Sequence, residues 1–257
     1  MRFYFFAPLL ALAAFLAPVA SAEPATLRVL CYNIHHGEGT DKKLDLERIG
    51  RVIESAASDL VAVQEVDRGT TRTERVDQAA ALAKQLGMSH VFGKTIDYAG
   101  GEYGLLVLSR FPLVGHERVL LPPPVQQEQR GVLIARIRLP DGREIRLACT
   151  HLSIVSDAER AEQTAKINEL LLDGGPPVIL AGDFNARPES APIALLKRGW
   201  TDSADPALNK HTTPERKRRI DYIFFRKGDP FDVVETRTLD EPVASDHHPI
   251  LSVFTFK

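Results

Sequence analysis

Two cysteines, two methionines and one tryptophan are all that the 257 residues contain of these types, and aromatic residues make up 7%. So little cysteine excludes a small scaffold knit by disulfides. With no Cys/His cluster at ligand spacing, a zinc site is not expected. Cys31 and Cys149 stand far apart in the chain, and the sequence leaves open whether they pair or stay as two buried free thiols. An excess of charge is also missing: 32 Lys and Arg face 34 Asp and Glu, a formal net charge of -2. That excludes a broad electrostatic pull towards nucleic acid, while a local basic strip remains able to bind it. Repeats, low-complexity tracts and an evident linker are absent, and beyond the first residues no apolar run is long enough to cross a bilayer.

What is present is ordinary globular material. Hydrophobic residues are 44% and charged residues 26%, enough apolar content for a sizeable core. Residues 1–22 have the form of a secretory leader: Arg2, then an apolar body from Phe3 to Val19, then Ala20-Ser21-Ala22 as a small-residue cleavage site. Glu23 rather than Cys follows, which argues against a lipoprotein anchor. The expectation is cleavage, leaving residues 23–257 as one domain in the periplasm or secreted. The alternative is an uncleaved N-terminal membrane anchor.

Apolar spacing of three and four predicts helices over Asp45–Ala57, Arg75–Leu86, Asp157–Leu172 and Ala191–Lys197. Ser156 with Glu159 resembles a capping box, and Gly87 and Gly174-Gly175 are stop signals. Strands are expected over Thr26–Asn33, Leu60–Glu65, Gly104–Ser109, Val132–Leu139, Glu144–His151, Val178–Asn185, Ile220–Phe225 and Pro249–Phe256. Asp141-Gly142 marks a hairpin. The Gly100-Gly101 and Pro122-Pro123-Pro124 segments are expected at the surface. This alternation points to mixed sheets covered by helices.

Polar residues gather where these strands end. In ILAGDFNARPES, alternation would place Ile179, Ala181, Asp183 and Asn185 on one face. A buried carboxylate there is expensive unless paired or bound to a metal, although a local turn cap before Pro188 would also account for it. The pattern recurs. Apolar runs end at Asn33, at Glu65 (expected on the face of Val61 and Val63) and at His151, while two others begin with Asp221 and with Asp246-His247. If the last two strands run antiparallel to the rest, all these groups reach one rim. Glu65, Asp246 and Asn33 then supply hard oxygen ligands suited to Mg²⁺. His151 and His247 supply phosphate donors or proton carriers. Asp183, Asn185 and Asp221 orient water or fix a histidine. That set of groups describes metal-assisted phosphoester hydrolysis.

The stretches CYNIHHG, VQEVD, YGLLVLSRFP, THLS, LAGDFNARP, RIDYIFF and SDHHP, spanning Leu27 to Phe254, resemble the endonuclease/exonuclease/phosphatase superfamily in content and order. The resemblance implies a four-layered α/β sandwich, two mixed sheets face to face with helices outside, and a divalent cofactor, Mg²⁺ or Mn²⁺. It implies Glu65 as metal ligand, with Asn33 and Asp246 as direct or water-mediated ligands. Asp221 would pair with His247, and His151 would hydrogen-bond the scissile phosphate, with Asp183 and Asn185 beside the reacting centre. The base is left between His247 and Asp183. One departure is Leu105, where members of the family often carry Asn.

Weaker signals have two readings each. Tyr103 reaches substrate or packs at the rim. Arg130 clamps phosphate or forms a surface ion pair. Arg219, ending the basic run from Arg216, faces phosphate or belongs to a solvated loop. His35 and His36 line the cleft or sit in a loop, and Trp200 is expected in the core. The functional expectation is an exported phosphodiesterase or nuclease acting by in-line water attack. A sphingomyelinase-like enzyme or a small-molecule phosphatase is the alternative, and a non-catalytic binding module is disfavoured because every expected position is filled. The partner is a phosphoester substrate, nucleic acid included. No obligate protein partner is evident, and a monomer is expected.

Overall fold

The computed structural model describes residue 1 and residues 26–122, 128–204, 211–213, 215 and 217–257. The leader and most of the triple-proline segment lie outside the described residues.

In chain order the elements are β1 (Thr26–Asn33), α1 (Leu46–Ser55), β2 (Leu60–Arg68), α2 (Gln78–Leu86), β3 (Ser89–Tyr98), β4 (Gly101–Ser109), β5 (Leu113–Leu120), β6 (Gly131–Arg138), β7 (Glu144–His151), α3 (Asp157–Leu171), β8 (Val178–Asp183), α4 (Ala191–Gly199), β9 (Trp200–Asp202), β10 (Asp221–Arg226), β11 (Phe231–Thr238) and β12 (Ile250–Phe256). They form two six-stranded sheets with orders β11-β12-β1-β2-β4-β3 and β5-β6-β7-β8-β10-β9. Each sheet has one parallel pair near its middle, β1–β2 and β7–β8. The two final core strands run against their neighbours, β10 against β8 and β12 against β1.

Central strands are apolar on both faces because both faces are covered. In β1, Val29 and Cys31 enter the core between the sheets, and Leu30 and Tyr32 meet Ile49, Ile53 and Leu82 of α1 and α2. In β8 and β10, Ile179, Ala181, Ile223 and Phe225 face inward, while Leu180, Tyr222 and Phe224 pack on Ile167, Leu171, Ile193 and Leu196 of α3 and α4. Trp200 lies in that outer core, as expected. The result is the α/β sandwich anticipated above. Three helix entries are capped by side chains: Asp45 accepts from the Arg48 amide, Asp77 from that of Ala80 and Ser156 from that of Glu159.

Four strands have no counterpart among the expectations: β3, β5, β9 and β11. These are the four sheet edges. An edge strand is paired on one side and half-exposed, so no continuous apolar run marks it. In β11, for example, Val233 and Val234 sit exposed among charged residues.

The cysteines are free and buried in the core between the sheets. Gln64 lies between them, its Oε1 3.7 Å from the Cys31 thiol and its Nε2 donating to the Cys149 sulfur at 3.2 Å. Leu105, the departure noted above, fills this same core.

Gly182, just before Asp183, is required by close approach. A Cβ there would stand 2.1 Å from the Thr150 carbonyl oxygen of β7. Gly182→Ala is therefore expected to destabilise the protein by on the order of 3 kcal/mol, read as a fall in the urea midpoint.

Candidate active site

The register of the second sheet places His151 of β7 opposite Asp183 of β8, and Asp183 opposite Asp221 of β10. All three continue the inward-facing rows of their strands, so they emerge where the core between the sheets reaches its rim. The first sheet brings Asn33, at the inward-facing end of β1. The segment before β12 adds Asp246 and His247. Ser245 fixes that segment, donating to the Asn33 carbonyl at 2.8 Å and accepting from the His247 amide at 3.2 Å.

Glu65 arrives by a route that alternation does not give. Its expected place was the face of Val61 and Val63, which packs on the helices. A bulge between Val63 and Val66 interrupts the pairing of β2 with β4, and Glu65 takes φ 61. The carboxylate is thereby re-aimed to the inner rim, where Oε1 accepts from Asn33 Nδ2 at 2.9 Å. Asn185 also departs from alternation. β8 ends at Asp183, Asn185 has φ 48, and its side chain donates to the Leu152 carbonyl at 3.1 Å.

Asn33 was expected to offer oxygen to a metal. Its Oδ1 instead accepts from the His35 amide at 3.1 Å, and its Nδ2 donates to Glu65 and, at 3.2 Å, to Asp183 Oδ2. Turning the amide over would set its oxygen against two carboxylates, so the network fixes this orientation.

Asp183 is the hub. Oδ1 accepts from the Asn185 amide at 2.8 Å. Around Oδ2 stand Asn33 Nδ2, His151 Nε2 at 3.4 Å and His247 Nε2 at 3.8 Å. Burial, and then the nearby Asp221 charge, push its pKa up to about 7. His247 Nδ1 lies 2.9 Å from Asp221 Oδ2. Burial disfavours its charge, but Asp221 and Asp183 outweigh that and raise its pKa to about 10. His151 goes the other way: burial, then Arg130 and His247, hold it neutral.

Several of these groups line a cavity of about 330 Å³. Its lining includes Glu65, His151, Asp183, Asn185, Asp246 and His247. Tyr103 and Arg130 are on it too, both buried. Arg130 donates to Glu128 at 2.9 Å. The lining also includes Arg72, Tyr98 and Glu128, none of which the sequence reading anticipated. Arg72 comes from a short helical turn with no motif, and it is built in: both guanidinium arms reach the buried Asp67 at 2.7 and 2.8 Å, and the group lies 4.5 Å from the Tyr98 ring centre. Glu128 stands two residues before Arg130, the one local signal that could have found it.

Arg219 is not on this surface. Its two arms donate to Asp202 at 2.9 and 2.6 Å and it lies over the Tyr222 ring, which makes it a strap between β9 and β10 rather than a substrate contact. Lys217 and Arg218 are exposed, and Arg216 is outside the described residues.

The donor set fits a hard cation. Glu65 and Asp246 both present carboxylates to the cavity, and Glu65 is tethered through one oxygen. The cluster of Asp183, Asp221 and His247 is different: its close contact is the Asp221–His247 hydrogen bond, a proton-holding pair.

Comparison with known proteins agrees with this geometry. The family model described as "Endonuclease/Exonuclease/phosphatase family" matches residues 30–247. The uncharacterized protein YbhP of Escherichia coli is 30% identical over 245 residues, covering 88% of this chain and 94% of YbhP. The crystal structure of an endonuclease/exonuclease/phosphatase from Beutenbergia cavernae superposes with a TM-score of 0.75 at 26% identity, over 90% of this chain and 72% of that one. A mannosyl-6-phosphatase from Bacteroides thetaiotaomicron shares the fold with a TM-score of 0.73 at 20% identity, over 90% of this chain and 100% of that one.

The raised pKa of Asp183 has a thermodynamic consequence. A folded value above the unfolded one means that the associated stability is fully present below the unfolded value and lost as pH rises towards about 7. Asp183→Asn removes the ionisation. In chelator-treated protein it is expected to leave the melting temperature unchanged near pH 4. Near pH 8 it should raise stability by on the order of 1–3 kcal/mol, read from thermal melts at both pH values.

Proposed function

The chain belongs to the endonuclease/exonuclease/phosphatase family, and from that premise we propose that it is a divalent-metal-dependent phosphoester hydrolase acting by in-line attack of water. The observation that carries the reading is the convergence of Glu65, His151, Asp183, Asn185, Asp246 and His247 on one cavity from both sheets. A cation there, Mg²⁺ or Mn²⁺, would be held by Glu65 and Asp246 and would neutralise charge on the phosphoryl oxygens.

The chain's own groups supply the rest. Asn33 fixes the Glu65 and Asp183 carboxylates relative to each other. Asp183, with a pKa raised towards neutrality, is matched to take the proton of the attacking water. His247, kept protonated by Asp221, donates from Nε2 to a phosphoryl oxygen as charge builds there. His151 and the Asn185 amide are placed for the other oxygens, and Arg130 for a further anionic group of the substrate. Of the two bases left open by the sequence, this assigns Asp183.

A phosphodiester, nucleic acid included, is the first substrate reading. A compact phosphoester is the second, favoured by the modest volume of the cavity and by the presence of Arg72, Tyr98 and Tyr103 in its lining. The apolar leader supports export, with action in the periplasm or outside the cell as a monomer.

Purified residues 23–257 are expected to hydrolyse an activated phosphodiester with Mg²⁺ or Mn²⁺ and to stop in EDTA. His247→Ala and Asp183→Ala should each lower kcat by on the order of 10²–10⁴. Wild-type turnover in both variants would end the assignment. A panel of single- and double-stranded DNA, RNA, sphingomyelin, inositol phosphates and simple mono- and diesters, with His247→Ala as blank, separates the substrate readings.

A further inference from the structure

Next to the catalytic cavity, between the loop after β1 and the bulge of β2, is a second group of donors. One ligand atom each from His35, His36 and Glu65 lies within 4.8 Å of the others, and all three residues are half-buried. All three are also in left-handed backbone conformation, with φ 45, 44 and 61. Such a conformation in a residue other than glycine costs on the order of 1 kcal/mol or more and persists only where the surroundings impose it. Here they do. The His35 amide is held by Asn33 Oδ1, the His36 carbonyl accepts from Gln78 at 2.7 Å, and the Gly37 amide donates to the Ile34 carbonyl at 2.8 Å.

The imidazoles are prepared for a cation. His35 Nδ1 lies 3.0 Å from the Glu38 carbonyl oxygen. A carbonyl only accepts, so the proton is on Nδ1 and the lone pair is on Nε2, the arrangement that orients a metal-binding histidine. The buried Nδ1 of His36 has no hydrogen-bond partner. The group is open on two sides: Glu65 lines the catalytic cavity, and His36 lines a separate hollow of about 420 Å³ with Gly37, Thr73 and Gln78.

We propose that His35, His36 and Glu65 form a preorganised cation site, separate from the Glu65–Asp246 pair, that takes a borderline transition ion such as Zn²⁺ in preference to Mg²⁺. Two nitrogens and one carboxylate suit such an ion, whereas Mg²⁺ takes oxygen ligands and keeps its waters. The inference goes beyond the hydrolase reading and shares only Glu65 with it.

The test is metal binding, not turnover. Chelator-stripped residues 23–257 are titrated with Zn²⁺ and Mg²⁺ by calorimetry, and with Co²⁺ by visible absorption. Wild type is expected to show nitrogen-ligated Co²⁺ bands and to bind Zn²⁺ at least about tenfold more tightly than His35→Asn or His36→Asn. Asparagine tolerates left-handed backbone, so both variants are expected to match the wild-type melting temperature in chelator. Asp246→Ala should keep the Zn²⁺ site while weakening Mg²⁺. Absence of the Co²⁺ bands in wild type, which needs no variant to fold, would overturn the proposal. So would equal loss of Zn²⁺ in Asp246→Ala and the histidine variants. Zn²⁺ binding at this site in a protein without hydrolytic activity would sink the hydrolase reading alone.

Discussion

A single amide nitrogen joins the two sheets at the rim. Asn33 ends a strand of the first sheet, and its Nδ2 donates both to Glu65 on that sheet and to Asp183 on the other. Two carboxylates that would otherwise repel are thereby set at a fixed separation, with the amide oxygen anchored on the His35 backbone. Everything else at the rim is arranged around this contact. Asp183 in turn positions His151 and His247, and Ser245 ties the His247 segment back to the Asn33 carbonyl. Each group sits on a strand end or is pinned to one, which gives the constellation the stiffness of the sandwich itself.

That stiffness is obtained at a thermodynamic cost. Asp183 and Asp221 are both nearly inaccessible and adjacent in the ladder, and one oxygen of Asp221 is buried without a partner. Unpaired buried carboxylates oppose folding. Here His247 offsets one of the two charges, and the remainder appears as the raised affinity of Asp183 for a proton. The apolar cores on either side of each sheet must carry this cost, which explains why the polar groups are confined to the rim, at strand ends, at the β2 bulge and in the segments beside them.

Much of this could be read from the chain, for a definite reason. Strands buried on both faces are apolar throughout, so a polar residue at either end of one stands out, and Asn33, His151, Asp183 and Asp221 were found that way. Two residues kept their place in the site but not their predicted face. The Val63–Val66 bulge turns Glu65, and a left-handed residue after Phe184 turns Asn185; neither carries the glycine that would have signalled it. The edge strands were hidden because an exposed edge needs no apolar run. Arg219 misled because a basic run looks the same whether it faces substrate or a buried partner, and Asp202 lies in one of those edges. Arg72 and Tyr98 were invisible because they reach the cavity from a short helical turn and from the end of an edge strand, neither of which carries an apolar period.

The two cysteines add a last point about how this molecule holds together. Their thiols share a core yet are parted by the Gln64 side chain, which bonds to both. Closing a covalent bridge would require ejecting that amide from the middle of the sandwich. Reductant and oxidant should therefore find the same folded chain. Its integrity would owe nothing to cross-linking machinery and everything to how tightly two sheets interlock.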